Sequence, residues 1–196
     1  MIIYYCDGFA GGRKESRRLL KKAITEYTGN AEQAERLVGE LKTGEYGKPY
    51  IEGFDRFSVS HTGSIWAVLI DARECGLDIQ LGKKCDINGI ARRIYAPEDA
   101  ERVALMAEDD PAAARDEFFR LWTRREAFAK AIGGSVYDTD MPSVADESVT
   151  INGKTYTLAD IAFPETCCSE EACLYASVCA EGITTLPEPE FFIILG

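Results

Sequence analysis

The sequence predicts an α+β protein of two similar halves, residues 1–74 and 75–196, joined near Cys75. Two observations carry this. Some segments alternate apolar and polar residues with period two while others repeat at helical spacing, and their order is strand, helices, strands, then helices and strands again. With 196 residues and 46% apolar content, the chain can fill a core of one domain or two closely packed halves. No internal sequence repeat accompanies the duplicated pattern.

The elements run in order along the chain. Ile2 to Cys6 reads as a short strand, and Leu19, Leu20, Ala23 and Ile24 recur at helical spacing in a helix from about Lys14 to Tyr27, stopped by Gly29-Asn30. A second helix, about Ala31 to Val38, leads into "KTGEYGKPYI", where two glycines and a proline force an ordered turn before a strand near Tyr50. "RFSVS" and "SIWAVLI" are β-rich runs flanking "HTG", and a strand comes next at Gly76 to Leu81. The pattern is then helical, from Asp86 to about Ile94, from Pro97 onward, and from about Ala112 to Ile132, where Gly133-Gly134 ends it. "SVTINGKTYT" is a hairpin turning on Asn152-Gly153, and further strands are expected near Leu174 to Cys179 and Phe191 to Leu195.

A net charge of −11 argues against a protein that coats nucleic acid. The longest apolar runs are strand-sized, short of the roughly 20 residues of a membrane span. The opening "MIIYYCDGFA" has no cationic start, so a cytoplasmic location without membrane contact is expected. The seven cysteines show no zinc-like spacing and are expected as reduced, buried thiols. "RRLLKK" at Arg17 to Lys22, Arg92-Arg93 and "TRRE" at Arg124 to Arg125 are basic clusters of the kind that usually form solvated helix faces.

Candidate chemistry begins at "CGLDIQLG". In a strand, Leu77, Ile79 and Leu81 point one way and Asp78 and Gln80 the other. Asp78 either meets water on a half-exposed strand, or shares with Gln80 a face that Gly76 and Gly82 open to a ligand, suiting a hard cation such as Mg²⁺. On the long helix, Phe118, Leu121, Trp122, Phe128, Ala129 and Ile132 form one apolar stripe with Arg125 in its middle, either snorkelling outward or meeting an anion. Glu126 and Lys130 lie four apart on its edge, as an ordinary ion pair or as a carboxylate and an ammonium offered to a cleft. His61, the one histidine, sits among Ser58, Ser60, Thr62 and Ser64 beside Gly63, a setting better suited to holding phosphate than to attacking a carbonyl.

Together and in this order, "EYGKPYI", "FSVSHTGSIWAVLI", "GLDIQ" and "FFRLWTRREAFAKAIGG" resemble the motif set of the 4′-phosphopantetheinyl transferases, the larger monomeric type, over roughly Arg17 to Gly134. The resemblance implies a pseudo-twofold α+β fold with coenzyme A between the halves. It also implies transfer of the phosphopantetheine arm of coenzyme A to a serine of an apo acyl or peptidyl carrier protein, releasing adenosine 3′,5′-bisphosphate. By resemblance Asp78 and Glu126, with Gln80 as a third candidate, coordinate Mg²⁺; Glu126 is the general base; and Lys130 contacts the pyrophosphate and steadies the leaving phosphate. His61, Lys48 and Arg17, or its neighbour Arg18, hold the 3′-phosphate and adenosine end, with Gly47, Pro49 and Ser60 shaping the site. Two positions depart from the family pattern. Gln80 stands where glutamate is frequent, and Arg125 replaces the usual lysine with a rigid fork. Gln80 raises the alternative of a degenerate module that binds coenzyme A or a carrier protein without turnover, and a ligand-free structural domain is the third possibility.

Overall fold

The computed structural model describes residues 1–164, 173–182 and 185–194. Among the described residues the elements run β1 (Ile2–Asp7), α1 (Arg13–Thr28), α2 (Ala31–Gly39), β2 (Lys42–Thr43), β3 (Pro49–Tyr50), β4 (Arg56–Thr62), β5 (Ile65–Asp71), β6 (Cys75–Leu81), α3 (Ile87–Ile94), α4 (Pro97–Asp109), α5 (Pro111–Ile132), β7 (Ser148–Ile151), β8 (Lys154–Asp160), β9 (Leu174–Glu181) and β10 (Glu190–Ile193). The chain is α+β, as its alternating periodicities require. One four-stranded sheet has the order β10-β1-β5-β4, another β6-β9-β8-β7, and β2 and β3 form a small separate ribbon. The chain changes sheets at Cys75, and β10 returns to the first sheet, running parallel to β1. The expected final strand extends to Leu195, which lies outside the described residues.

Alternation of side chains sorts the core into layers. Tyr4, Trp66, Val68 and Phe57 face α1 and α2, whose Leu19, Leu20, Ile24, Leu37 and Val38 complete that cluster. The opposite face of the first sheet, Ile3, Tyr5, Ala67 and Leu69, packs on Leu77, Ile79, Ala176 and Val178 of the second. Beyond the second sheet, Phe118, Leu121 and Phe128 of α5 pack with Tyr156, Leu158 and Cys179. The helices thus cover the outer faces, and the two sheets share the inner core.

Two contacts fix β6 against its neighbours. A Cβ added at Gly76 would lie 1.8 Å from the Ala127 carbonyl oxygen and 2.8 Å from Ala131 N, so the absent side chain lets the backbone of α5 rest on β6. The space expected for a ligand at Gly76 is therefore taken by a helix. The second contact joins the halves. Ser58, Ser60 and Thr62 alternate along β4, and their hydroxyls accept from the backbone N–H groups of Leu77, Ile79 and Leu81 at 3.0, 3.2 and 3.1 Å. These three rungs satisfy the edge of β6 that β9 does not pair, replacing a backbone ladder with side chains.

Several local expectations are corrected. "HTG" is no extended turn, because β4 runs through Thr62 and the hairpin turns on Gly63-Ser64. Arg124 and Arg125 are buried instead of forming a solvated face. Arg124 binds Asp160 at 2.8 and 2.9 Å and three carbonyls between Val144 and Asp146. Cys6, Cys75 and Cys179 are buried free thiols, but Cys85 is half-buried and Cys173 exposed, because Cys173 stands just before β9. Cys167 and Cys168 lie outside the described residues. The Asn152-Gly153 hairpin forms as its sequence dictates, with both residues at positive φ.

Because α5 touches β6 through backbone, Gly76→Ala is expected to cost more than about 3 kcal/mol as overpacking. Urea unfolding measures it; a loss within about 0.5 kcal/mol, the scale of a surface substitution, would contradict the close approach.

Candidate active site

The site grows from β6, α5 and β4. Asp78 points from β6 toward α5 and is buried. Its Oδ1 accepts from Lys130 Nζ at 2.6 Å and from Ser60 Oγ at 2.8 Å. Lys130 Nζ also donates to Leu77 O at 3.0 Å and to Ser60 Oγ at 3.2 Å. Lys130 therefore pairs across to the strand rather than with Glu126 one turn earlier on its own helix. Ser60 serves twice, accepting from Ile79 N as a rung of the seam and donating to Asp78.

Glu126 is half-buried, and its carboxyl is pushed above the ordinary carboxylate range, first by burial and then by the charge of Asp78, while Lys130 and Arg125 oppose the shift. Glu126 and Lys130 line a cleft of about 300 Å³ with Ser58, Val59 and the Gly47-Lys48-Pro49 turn, so both halves contribute walls. Gly47 holds φ at +88°, which lets that turn close, with Gly47 N donating to Gly44 O at 3.0 Å. Lys48 reaches from the first half to the start of β6, donating to Cys75 O at 3.1 Å and pairing with Glu74 at 3.4 Å.

The remaining sequence candidates lie elsewhere. Gln80 donates to Leu81 O at 2.8 Å and lines a separate apolar pocket with Trp122, Phe118 and Phe119, so it does not join Asp78 and Glu126. His61 is exposed and lies 5.2 Å from Phe9, on the face of β4 opposite Ser60. Arg17 donates to Val38 O at 2.6 Å, fastening α1 to the end of α2, and Arg18 pairs with Glu15. His61 and Arg17 do share the α1 side of the first sheet: His61 registers with Trp66, whose indole donates to Ser16 Oγ at 2.8 Å.

Arg125 does not snorkel: its guanidinium is buried, with Nη1 lacking a hydrogen-bond partner among the described residues. Its Nε donates to Val136 O at 3.0 Å and its Nη2 to Asp138 O at 2.6 Å, because the helix face it occupies is closed over by the segment after α5. Sequence reasoning missed the seam and a brace between α5 and the second sheet, in which Thr123 Oγ1 lies 2.8 Å from Ser177 Oγ and Ser177 donates to Asp160 at 3.0 Å. The seam had a signal, the spacing of hydroxyls at every second residue of "SVSHT"; the brace had none, because its members lie far apart in the chain.

Among the described residues no group of three or more His, Cys, Asp and Glu side chains lies together. Any divalent cation here would have two carboxylates from the chain, Asp78 and Glu126. That set fits Mg²⁺, which keeps several waters and takes further oxygens from substrate phosphates, and the repulsion that raises Glu126 is what a cation between the two would relieve.

The fold is thus an α+β arrangement of two four-stranded sheets with a cleft lined by Glu126, Lys130 and Lys48, and the sequence comparison says which family it belongs to. A sequence model of the 4′-phosphopantetheinyl transferase superfamily matches residues 74–177, more than half of the chain, and the protein belongs to that superfamily. The match includes Asp78, Glu126 and Lys130. Among its relatives, a 4′-phosphopantetheinyl transferase of Bacillus subtilis is 36% identical over 91 residues, covering 45% of this chain and 39% of the relative. The 4′-phosphopantetheinyl transferase AcpT of Salmonella typhimurium is 34% identical over 119 residues, covering 56% and 60%. The 4′-phosphopantetheinyl transferase Sfp of Bacillus subtilis strain 168 is 33% identical over 95 residues, covering 47% and 41%. In each case the matched stretch spans less than two thirds of the relative's length.

The raised Glu126 carboxyl has a consequence for stability. The folded chain holds this proton more tightly than the unfolded chain, so from the ordinary carboxylate range up to the raised folded value stability falls as pH rises. Glu126→Gln removes that loss. With a chelator present, thermal unfolding is expected to find E126Q more stable than the parent at about pH 7, the gap closing toward about pH 4. An E126Q protein less stable at neutral pH would contradict the electrostatic account.

Proposed function

We propose that the protein transfers the 4′-phosphopantetheine group of coenzyme A to a serine hydroxyl of an apo acyl or peptidyl carrier protein, releasing adenosine 3′,5′-bisphosphate. The observation that supports this best is a cleft lined by Glu126 and Lys130, with the buried Asp78 bound to Lys130 and close enough to raise Glu126. Two carboxylates, one ammonium and a glycine-proline turn suit a pyrophosphate better than a carbonyl substrate.

In this reading the serine Oγ attacks the phosphorus that carries the pantetheine. An O–P bond forms, the pyrophosphate P–O bond breaks, and its electron pair leaves on the phosphate of adenosine 3′,5′-bisphosphate. The serine proton passes to Glu126, directly or through water, since Glu126 is the carboxylate that lines the cleft. Lys130, 2.6 Å from Asp78 in the free protein, carries the charge to steady the leaving phosphate. Asp78 and Glu126 would hold Mg²⁺, which when bound supplies neutralisation of charge on the pyrophosphate oxygens. Gly47, Lys48 and Pro49 would flank coenzyme A from the first half. Support for His61 and Arg17 at the 3′-phosphate is the motif resemblance together with their shared side of the first sheet, and this contact would lie outside the Glu126 cleft.

The apolar pocket beside Gln80 bears on the acceptor. It lies one helical turn from Glu126 through Trp122 and is rimmed by Lys83 and Arg93. Lys83, Lys84, Arg92 and Arg93 are all exposed and form no ion pair among the described residues. In a chain of net charge −11, these cations would give an acidic acceptor a local place to approach. We take the protein to act as a cytoplasmic monomer. No described helix is long and apolar enough to cross a membrane.

A fluorescent phosphopantetheine analogue of coenzyme A tests the reading. Mg²⁺-dependent labelling of apo carrier proteins is expected, with labelling lost in Asp78→Ala and Glu126→Ala. Labelling that persists in both variants would contradict the assignment. Tight calorimetric binding of coenzyme A with no transfer to any carrier would favour the binding module without turnover. If the exposed cations guide the acceptor, labelling should slow several-fold between about 50 and 500 mM salt, and a rate indifferent to salt would rule out that guidance.

A further inference from the structure

Arg125 stands beside Glu126, yet its guanidinium is turned away from the cleft and is only 1% exposed. A buried cation of this kind requires partners, and burial lowers its affinity for its proton, opposed chiefly by the charge of Asp99. Its two hydrogen bonds both go to the segment following α5, to Val136 O at 3.0 Å and Asp138 O at 2.6 Å. Between these two carbonyls in sequence sits Tyr137, whose side chain is 72% exposed. Tyr137 lines both the Glu126 cleft and the apolar pocket beside Gln80, so it stands where the two cavities meet.

We propose that Arg125 is a positioning residue that clamps residues 136–138 and so fixes Tyr137 as the acceptor-side wall of the cleft. This rests on the transferase reading for the identity of the acceptor, but the clamp itself rests on the contacts of the guanidinium alone. The planar fork presents two nitrogens in fixed directions to two carbonyls, whereas a lysine carries one nitrogen on a flexible stem. The segment has further turn bonds, Tyr137 N to Ser135 Oγ at 3.2 Å and Asp138 N to Ser135 O at 3.1 Å, which hold it locally but do not tie it to α5. Arg125 supplies the polar tie from α5, beside the packing of Val136 into the core cluster that α5 helps to form. Arg125, the chain neighbour of Glu126 on α5, thus holds the segment that carries Tyr137, the wall facing whatever Glu126 acts on. The wall from the other half, Gly47 to Pro49, is independent of this clamp.

Arg125→Lys, Tyr137→Ala and their combination test the proposal, with amide hydrogen exchange and carrier labelling as separate readouts. In Arg125→Lys, exchange should accelerate at residues 136–138 while the strand amides of β6 keep their protection. KM for the apo carrier should rise about tenfold, more than kcat falls, with coenzyme A affinity by calorimetry unchanged. Tyr137→Ala should raise the same KM, and the double variant should be no worse than Tyr137→Ala alone, since the arginine acts through that wall. Unchanged exchange at 136–138 would overturn the clamp. Multiplying KM effects, or an equal loss of coenzyme A affinity, would overturn the role of Tyr137 as its output. A parent protein that labels no carrier would defeat the transferase reading instead, and the exchange result would still decide the clamp.

Discussion

The seating of α5 on β6 at Gly76 is the contact on which the rest of the structure depends. A strand and a helix usually keep apart by the length of their side chains; here the Ala127 carbonyl occupies the space a β-carbon would take. The helix is held in that seat by the Thr123–Ser177–Asp160 brace to β9 and β8 and by Arg124. From this seat Lys130 reaches Asp78, and Glu126 comes close enough to feel its charge. A displacement of the helix on β6 would carry Glu126 and Lys130 together away from Asp78.

Electrostatics within the cleft are arranged at some cost to the fold. Asp78 is satisfied by Lys130 and Ser60, while Glu126 is half-buried beside the charge of Asp78. A group whose environment disfavours its charged form is suited to proton transfer or to holding a cation. Ser60 links this site to the seam between halves, since the hydroxyl that donates to Asp78 also accepts from the β6 backbone. Any movement of one half against the other would be felt at Asp78 through that shared atom.

Much of this was legible in the sequence, and the misses have a common cause. Periodicity placed the helices and strands, because those signals are local; it also put Asp78 and Gln80 on one face of β6. The two then part company, since Asp78 finds Lys130 and Ser60 from other elements and Gln80 turns to its neighbour's carbonyl. Gly76 was read as room for a ligand because sequence does not reveal what fills a gap. Arg125 was set on the apolar stripe correctly, but its partners are backbone carbonyls of a later segment, and backbone leaves no mark in a sequence. The return of β10 to β1 was equally hidden, because strand pairing over such separation has no local signature.

The most direct measurement of the cleft's role is Mn²⁺ binding, detected by electron paramagnetic resonance with coenzyme A present, with Mn²⁺ standing in for Mg²⁺. If α5 and β6 together form a two-carboxylate cation site, a single Mn²⁺ binds the parent chain. That signal is lost on Asp78→Asn and on Glu126→Gln, while both variants remain folded. Mn²⁺ binding that is unchanged in both variants would contradict the account.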